Sequence, residues 1–366
     1  MQRLDRFCGT ARGLLARIGV NRIGMIGSLI LLAAALYMLC DMLHDIGIGK
    51  VIAAVAATSP IAVLIASGFV FVGYGTLTFY DYFALRSLGR RDVPYATAAL
   101  AGFAAYAIGH GLGISVLTAG AVRLRVYASW GLGVLEVTKI GFITGLTFWL
   151  GNLCTLGLAL ALAPAHASAA THLPPWANAL LGLVALAGVA GYVAWLLPKP
   201  RVVGLANVHI ALPDAPQTFV QIAIGMLDLV VGSIATYVLL PATPVTDYVV
   251  VAVAYVMAAL FGFLCHAPSS LGVFEVTMLV LLPQYQKEEL LGSLLILHFL
   301  YLVLPLALAL VMLGLREARA GTGRNRHHAR APCPSHAEQR GAIASNAPIT
   351  PASLRHGVGS TSFNPT

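Results

Sequence analysis

Charge is what this chain has least of. Among 366 residues, Lys and Arg total 22 and Asp and Glu total 14, so charged positions make up 10%, against roughly 25% in an ordinary soluble domain. With 58% hydrophobic residues, that scarcity argues against a soluble enzyme, a disordered chain and a nucleic-acid-binding domain. Cysteines are few and scattered: Cys8, Cys40, Cys154, Cys265 and Cys333 form no pair with metal or redox spacing, so no disulfide framework, metal site or cofactor site is expected. Enzyme signatures are missing too. There is no HExxH or GxSxG, and Gly47-Ile48-Gly49-Lys50 lacks the first glycine and the Ser/Thr of a phosphate-binding loop. No catalytic residue set follows from motifs, and nothing here powers transport by ATP.

What the chain has is apolar length. Runs of about 20 residues, the length that crosses a bilayer, recur over 23–40, 59–82, 95–122, 131–162, 175–197, 216–240, 248–282 and 290–314. No ten-residue alternation supports a barrel, so the expectation is an all-α, polytopic membrane helix bundle. No cleavable signal peptide is evident, and 23–40 reads as a retained span. The net charge of +8 comes largely from arginines in short loops and tails, which fits topology signals facing anionic lipid rather than nucleic acid.

Those arginines orient the spans. Arg3, Arg6, Arg12, Arg17 and Arg22 place the N-terminus in the cytoplasm, and Arg86, Arg90 and Arg91 follow two crossings later on the same side. A simple crossing by 95–122 would put Arg123, Arg125, Lys199 and Arg201 outside. It would also put 163–173, which holds no Lys or Arg, inside. These placements improve if 95–122 enters and leaves on the cytoplasmic side, breaking at Gly109-His110-Gly111-Leu112-Gly113, where glycines weaken a helix. By the same reasoning Arg316 and Arg319 place the C-terminus inside. The segment 248–282 then begins and ends outside, with its break at Cys265 to Gly272. The alternative for each segment is one long kinked helix; charge placement favours two re-entrant hairpins. Two halves of opposite orientation, about 23–162 and 175–316, read as an inverted repeat. Residues 1–22 form a basic cytoplasmic N-terminus, 23–316 the membrane domain, and 317–366 a polar, disordered cytoplasmic tail.

Ionisable groups at membrane depth are costly and therefore candidates for function. Asp41, His44 and Asp45 read as interfacial. Asp81 is either a snorkelling interface residue or a buried group. Glu136 and Lys139, three apart on one helical face, read as a structural ion pair. Asp228 has about twelve apolar-span residues on either side and no interface to reach, so it must face protein or a wet cavity. His298 alone reads as a helix-packing hydrogen bonder. At the second break, His266 precedes Pro268-Ser269-Ser270, the composition of a helix start whose free N–H groups suit a phosphate, and Glu275 follows. At the first break, His110 lies among glycines, with Arg123 and Arg125 at the cytoplasmic end. These arginines either recognise phosphodiester or only obey the inside-positive rule.

Two stretches resemble one family. Ala119-Gly120-Ala121-Val122-Arg123-Leu124-Arg125-Val126-Tyr127, followed by Gly131-Leu132-Gly133, is similar to its GGxxRxRxY…GLS element. His266-Ala267-Pro268-Ser269-Ser270-Leu271-Gly272-Val273-Phe274-Glu275 is similar to its HxPGGxGxFE element. Leu212-Pro213, and Asp228 leading to Leu239-Leu240-Pro241, fit the same pattern. The chain resembles the lysylphosphatidylglycerol synthase transmembrane-region family, which includes the flippase half of the multiple peptide resistance factor and stand-alone relatives. The resemblance covers roughly residues 20–316. Ser269, Ser270, Ala119 and Gly133 depart from the pattern.

The resemblance implies an inner (plasma) membrane protein that translocates or binds a polar lipid: a phospholipid, an aminoacylated phospholipid or a lipid-linked sugar. It does not imply the aminoacyl-transferase domain. The implied headgroup site comprises Arg123, Arg125, Tyr127, Asp228, His266, Ser269, Ser270, Glu275 and His110. The implied partners are a lipid headgroup and a lipid-modifying enzyme, with no nucleic acid. A membrane-embedded transferase using His266 and Glu275, and an accessory subunit of such an enzyme, are the alternatives.

Overall fold

The computed structural model describes residue 37 and residues 47–112, 115–198, 201–205, 208–265 and 270–316, and side chains within these except 111, 112, 115, 116, 205 and 208. The basic N-terminus, the segment 23–40 apart from Tyr37, Asp41, His44, Asp45, His266, Ser269 and the 317–366 tail lie outside the described residues.

The described chain is an all-α bundle with one short β-hairpin. A short apolar helix, α1 (Ile48–Ala57), leads into α2 (Pro60–Ser87). Next come α3 (Tyr95–Leu112), α4 (Ser115–Tyr127), α5 (Val134–Leu162), α6 (Pro164–Thr171) and α7 (Pro175–Leu196). Strands β1 (Val202–Leu205) and β2 (Val208–Ala211) pair antiparallel, with Val202 opposite Ala211. Helices α8 (Ala215–Leu239), α9 (Tyr248–Leu264), α10 (Val273–Leu281) and α11 (Lys287–Arg316) complete the bundle. Five helices (α2, α5, α7, α8 and α11) are long and apolar enough to cross a membrane, compatible with a multi-pass membrane protein.

Local chemistry sets the helix ends. Proline occupies the first turn of α2, α6, α7 and α8, where its missing N–H is harmless. The Asp214 carboxylate accepts the Gln217 N–H at 2.9 Å and caps α8. Gly89, at φ +75°, turns the chain after α2 in the left-handed region that suits glycine. Glu288 and Glu289 sit in the first turn of α11, where the helix dipole favours negative charge.

Both expected hairpins are present. Helices α3 and α4 fold back on each other, as do α9 and α10. The limbs have 18, 13, 17 and 9 residues, so each is about 14–27 Å long at 1.5 Å per residue and shorter than a hydrocarbon core of about 30 Å. At the second break the helix starts later than expected. Ser270 adopts φ +55° and Gly272 φ +84°, and α10 begins only at Val273. The left-handed backbone at Ser270 is incompatible with an α-helix running on from that residue.

The two hairpins open at opposite ends of the bundle. Helices α2 and α8 run antiparallel. The Ser87 hydroxyl donates to Gln217 Oε1 at 2.9 Å at one end, and Gly73 packs on Val231 near the middle. The base of the first hairpin lies at the C-terminal end of α2, where Tyr95 and Thr78 share a hydrogen bond of 2.7 Å. The base of the second lies at the C-terminal end of α8: Tyr248 meets Ser233 at 2.7 Å, and the Ser293 hydroxyl donates to the Leu239 carbonyl at 2.7 Å. In each half, the helix before the hairpin packs on the hairpin's first limb and the helix after it packs on the second. This repeat of contacts, with α2 and α8 opposed, has the pattern of inverted halves.

Glycine lets the backbones meet at two crossings. Gly151 of α5 lies against Gly225 of α8, and Gly157 lies against Gly182 of α7. Small residues at such crossings permit the close approach that drives helix packing in lipid. Helix α8 is the most buried of the five long helices and α7 the least. Leu180, Leu181, Leu183 and Val184 of α7 are exposed, as expected of a helix facing hydrocarbon.

Candidate functional site

Two aspartates are buried in the bundle, and their surroundings differ. Asp81, on α2, has 0% exposure. Arg123 of α4 approaches it through Nε at 3.1 and 3.0 Å and through Nη2 at 2.8 Å. The Tyr127 hydroxyl donates to its other oxygen at 2.9 Å, and the Arg123 guanidinium stacks 5.4 Å from the Tyr106 ring centroid. A forked guanidinium on both carboxylate oxygens is the strongest form of this pairing. Gly102 makes room for it, because a Cβ there would sit 3.3 Å from the Asp81 Cβ. Asp81 is therefore not a snorkelling interface residue. Arg123 and Tyr127, both expected to bind substrate, fasten the first hairpin to α2. Arg125 is exposed.

Asp228, midway along α8, is 9% exposed and has no such cation among the described residues. The Tyr301 hydroxyl donates to its Oδ1 at 3.3 Å. Thr76 and Tyr80 of α2 approach the same carboxylate, the Tyr80 hydroxyl from a buried position; the Thr76 hydroxyl also donates to the Gly73 carbonyl at 2.6 Å. The Tyr74 hydroxyl donates to the Tyr301 carbonyl at 2.7 Å. Tyr255 of α9 closes over Gly232, where a methyl group would collide with its hydroxyl. Gly73 serves a similar end, since a Cβ there would lie 3.1 Å from the Tyr301 hydroxyl and 3.7 Å from Asp228 Oδ1. Tyr301 belongs to a π-turn, Phe299–Val303, inside α11. Such turns recur at functional sites because they shift side-chain register.

The second break joins this centre through aromatic contacts. Tyr255 stacks edge-on against Phe274 at 5.7 Å, and Phe274 against His298 at 5.4 Å. Glu275 is 5% exposed. It accepts the Gly272 N–H at 2.7 Å and meets His298 Nδ1 at 3.2 Å, so it caps α10 and ties it to α11. His298, with Leu294 O also 3.0 Å away, is the helix-packing residue expected. Ser270 packs against Gly262, whose missing side chain leaves room for it. His110, near the tip of the first hairpin, is exposed and lies 5.8 Å from the Tyr106 ring.

The expected Glu136–Lys139 pair is replaced. Glu136 Oε1 accepts from Arg90 at 2.8 Å, and its Oε2 accepts the Gly133 N–H at 3.0 Å. Helical side chains lean toward the N-terminus, so Glu136 reaches back over the start of α5 and away from Lys139. Arg90 also donates to the Trp130 carbonyl at 2.6 Å and to both oxygens of Asp92 at 3.0 Å. Those bonds from Arg90 hold the Asp92 carboxyl below its usual range. The cluster pins the base of the first hairpin outside the spans.

Sequence reasoning found Asp228 but missed Tyr74, Tyr80, Tyr255 and Tyr301. A signal existed in α2, where Gly73, Tyr74, Leu77, Tyr80, Asp81 and Ala84 are all buried and follow helical spacing. Among the described residues no group of three or more His, Cys, Asp and Glu could hold a metal ion.

No family model matches the chain. It is 30% identical over 262 residues to the uncharacterized protein slr0712 of Synechocystis sp., across 71% of this chain and 80% of that protein. The chain belongs to the same family as that protein.

Proposed function

For this member of the slr0712 family we propose a membrane protein that moves a polar lipid headgroup between leaflets while the acyl chains stay in the bilayer. One observation carries the reading: two helical hairpins open at opposite ends of the bundle, and elements of both halves meet around the buried carboxylate of Asp228. Short limbs entering from opposite sides leave a thinned barrier at the middle, which is the architecture of alternating access. A carboxylate there, ringed by hydroxyls, offers a polar stop in an otherwise apolar path. On this reading the protein sits in the inner membrane with both termini cytoplasmic, an orientation that the arginine distribution supports. A separate enzyme that modifies the lipid is its expected partner. The transferase reading is disfavoured because Glu275, its proposed base, is committed to Gly272 and His298.

The test is reconstitution in liposomes carrying a headgroup-labelled phospholipid and a membrane-impermeant quencher. Wild-type protein should expose the inner-leaflet label, and Asp228→Asn should slow this to the protein-free rate. Equal rates in wild-type and empty vesicles, across anionic, zwitterionic and aminoacylated headgroups, would refute the reading. A new lipid species in the product would favour the transferase instead.

A further inference from the structure

The contrast between the two buried aspartates points to a second ligand. Asp81 is neutralised by a three-contact guanidinium. Among the described residues, no Lys, Arg or His forms an ion pair with Asp228, although it lies mid-way along the most buried span. A charged carboxylate without a cation at that depth is costly. The structure thus supplies a reason for a cation to come and go.

The groups facing Asp228 identify which cation. From α2 come Tyr74, Tyr80 and Thr76; from α9, Tyr255; from the π-turn of α11, Tyr301. His298 lies one turn before Tyr301 on α11 and is engaged with Glu275. Helix α5 crosses α8 at Gly151 and Thr147, which do not titrate. Helix α7 brings Tyr192 only to the cluster around Ile222, toward the start of α8. The neighbours are thus hydroxyls, and a hydroxyl can accept one proton while donating another. Ring contacts extend this set toward both hairpins. Tyr80 stacks edge-on with Tyr106 of the first hairpin at 5.7 Å, and Tyr106 lies over Arg123. On the other side, Tyr301 leads to Tyr74 at 5.5 Å, and Tyr255 belongs to the second hairpin. Tyrosine rings thus connect the surroundings of the carboxylate to both hairpins, Tyr106 through Tyr80 and Tyr255 where it packs on α8 at Gly232.

We propose that Asp228 is an exchangeable proton site that couples the opening of one end of the bundle to the closing of the other. This rests on the transport reading above. A proton adds to a carboxylate oxygen to give the neutral acid when one end is open. It leaves the same carboxyl, restoring the anion, when the other end is open. Tyr80 serves the side of the first hairpin, and Tyr301 the side of the second. No other co-reactant is needed; the proton gradient supplies the driving force.

Two measurements separate this proposal from the transport reading. The first is infrared difference spectroscopy of the purified full chain in detergent, as acid is added. A carboxylic C=O band that titrates in wild type, disappears in Asp228→Asn and moves in Asp228→Glu is the expected result. The Asp228→Glu protein guards against mere misfolding of the Asn variant. The lack of any such band, or a carboxylate band displaced by sodium rather than by acid, would overturn the proposal. The second uses liposomes with an internal pH dye and an imposed pH gradient. Headgroup movement should accelerate with the gradient in one direction and be accompanied by internal pH change, and Tyr80→Phe should reduce both. Lipid movement indifferent to the gradient, with no pH change, would overturn the coupling while leaving lipid transport intact. A titrating band without lipid movement would keep the proton site and retire the lipid reading.

Discussion

Replacing Arg123 by methionine should unfold this protein rather than merely silence it. The substitution removes all three nitrogen contacts to Asp81, at 3.1, 3.0 and 2.8 Å, and leaves the carboxylate one hydrogen bond, from Tyr127. Asp81 is wholly buried, so water cannot replace what is lost. Removing one partner of a buried pair typically costs about 3–5 kcal/mol, or roughly two to three and a half decades in the folding equilibrium. A typical domain has only about 5–15 kcal/mol in total. The assay is the melting midpoint and monodisperse yield of detergent-purified protein. Arg123→Met should lose most of its yield and melt well below wild type. The double variant Asp81→Leu with Arg123→Met should recover much of both, because an apolar replacement of a buried pair is often neutral. If Arg123→Met melts like wild type but fails to move lipid, Arg123 is a headgroup ligand and the anchoring argument is wrong.

Three further outcomes follow from the geometry. Glu136→Gln should lower stability modestly, by about 1 kcal/mol, since a half-exposed pair and one cap are weakened, whereas Lys139→Ala should leave the melting curve unchanged; equal losses in the two would restore the pairing of Glu136 with Lys139. Gly225→Ala places a Cβ 2.7 Å from the Thr147 carbonyl oxygen and should cost about 1–3 kcal/mol by forcing α5 and α8 apart, readable as lost yield on purification. Glu275→Gln can still accept the Gly272 N–H and should keep near-normal stability, while Glu275→Ala should lose about 1 kcal/mol with the cap; a thermal scan of both variants decides.

The bundle was legible because its evidence is compositional. Apolar length marks the spans, and arginine placement favours a fold-back in two segments, which form the hairpins α3–α4 and α9–α10. Asp228 was legible for the same reason: a lone acid in the middle of a long apolar run has nowhere else to be. Pairing was not legible. Asp81 and Arg123 are 42 residues apart in sequence, and nothing local says that the arginine turns inward to meet a carboxylate on another helix. Arg90 and Glu136 are 46 apart, while Lys139 lay at an inviting helical spacing. The tyrosine ring was hidden similarly. Tyr301 reaches Asp228 from a π-turn, a change of register that no 3.6-residue pattern anticipates, and Tyr255 arrives from the opposite hairpin. The later start of α10 depends on the backbone sign at Ser270 and Gly272, which composition does not encode.

The glycine crossings have a mechanical consequence. Where Gly151 meets Gly225 and Gly157 meets Gly182, backbone lies on backbone with no side chain between to flex or change rotamer. Helices α5, α7 and α8 are thereby riveted into one stiff plate. The first limb of the second hairpin touches that plate through rotatable side chains: Phe148 against Phe263, Tyr255 over Gly232, Ser233 to Tyr248. Strain applied to that hairpin should therefore be taken up by those side chains before it shears the plate, and Asp228 is carried on the stiff part.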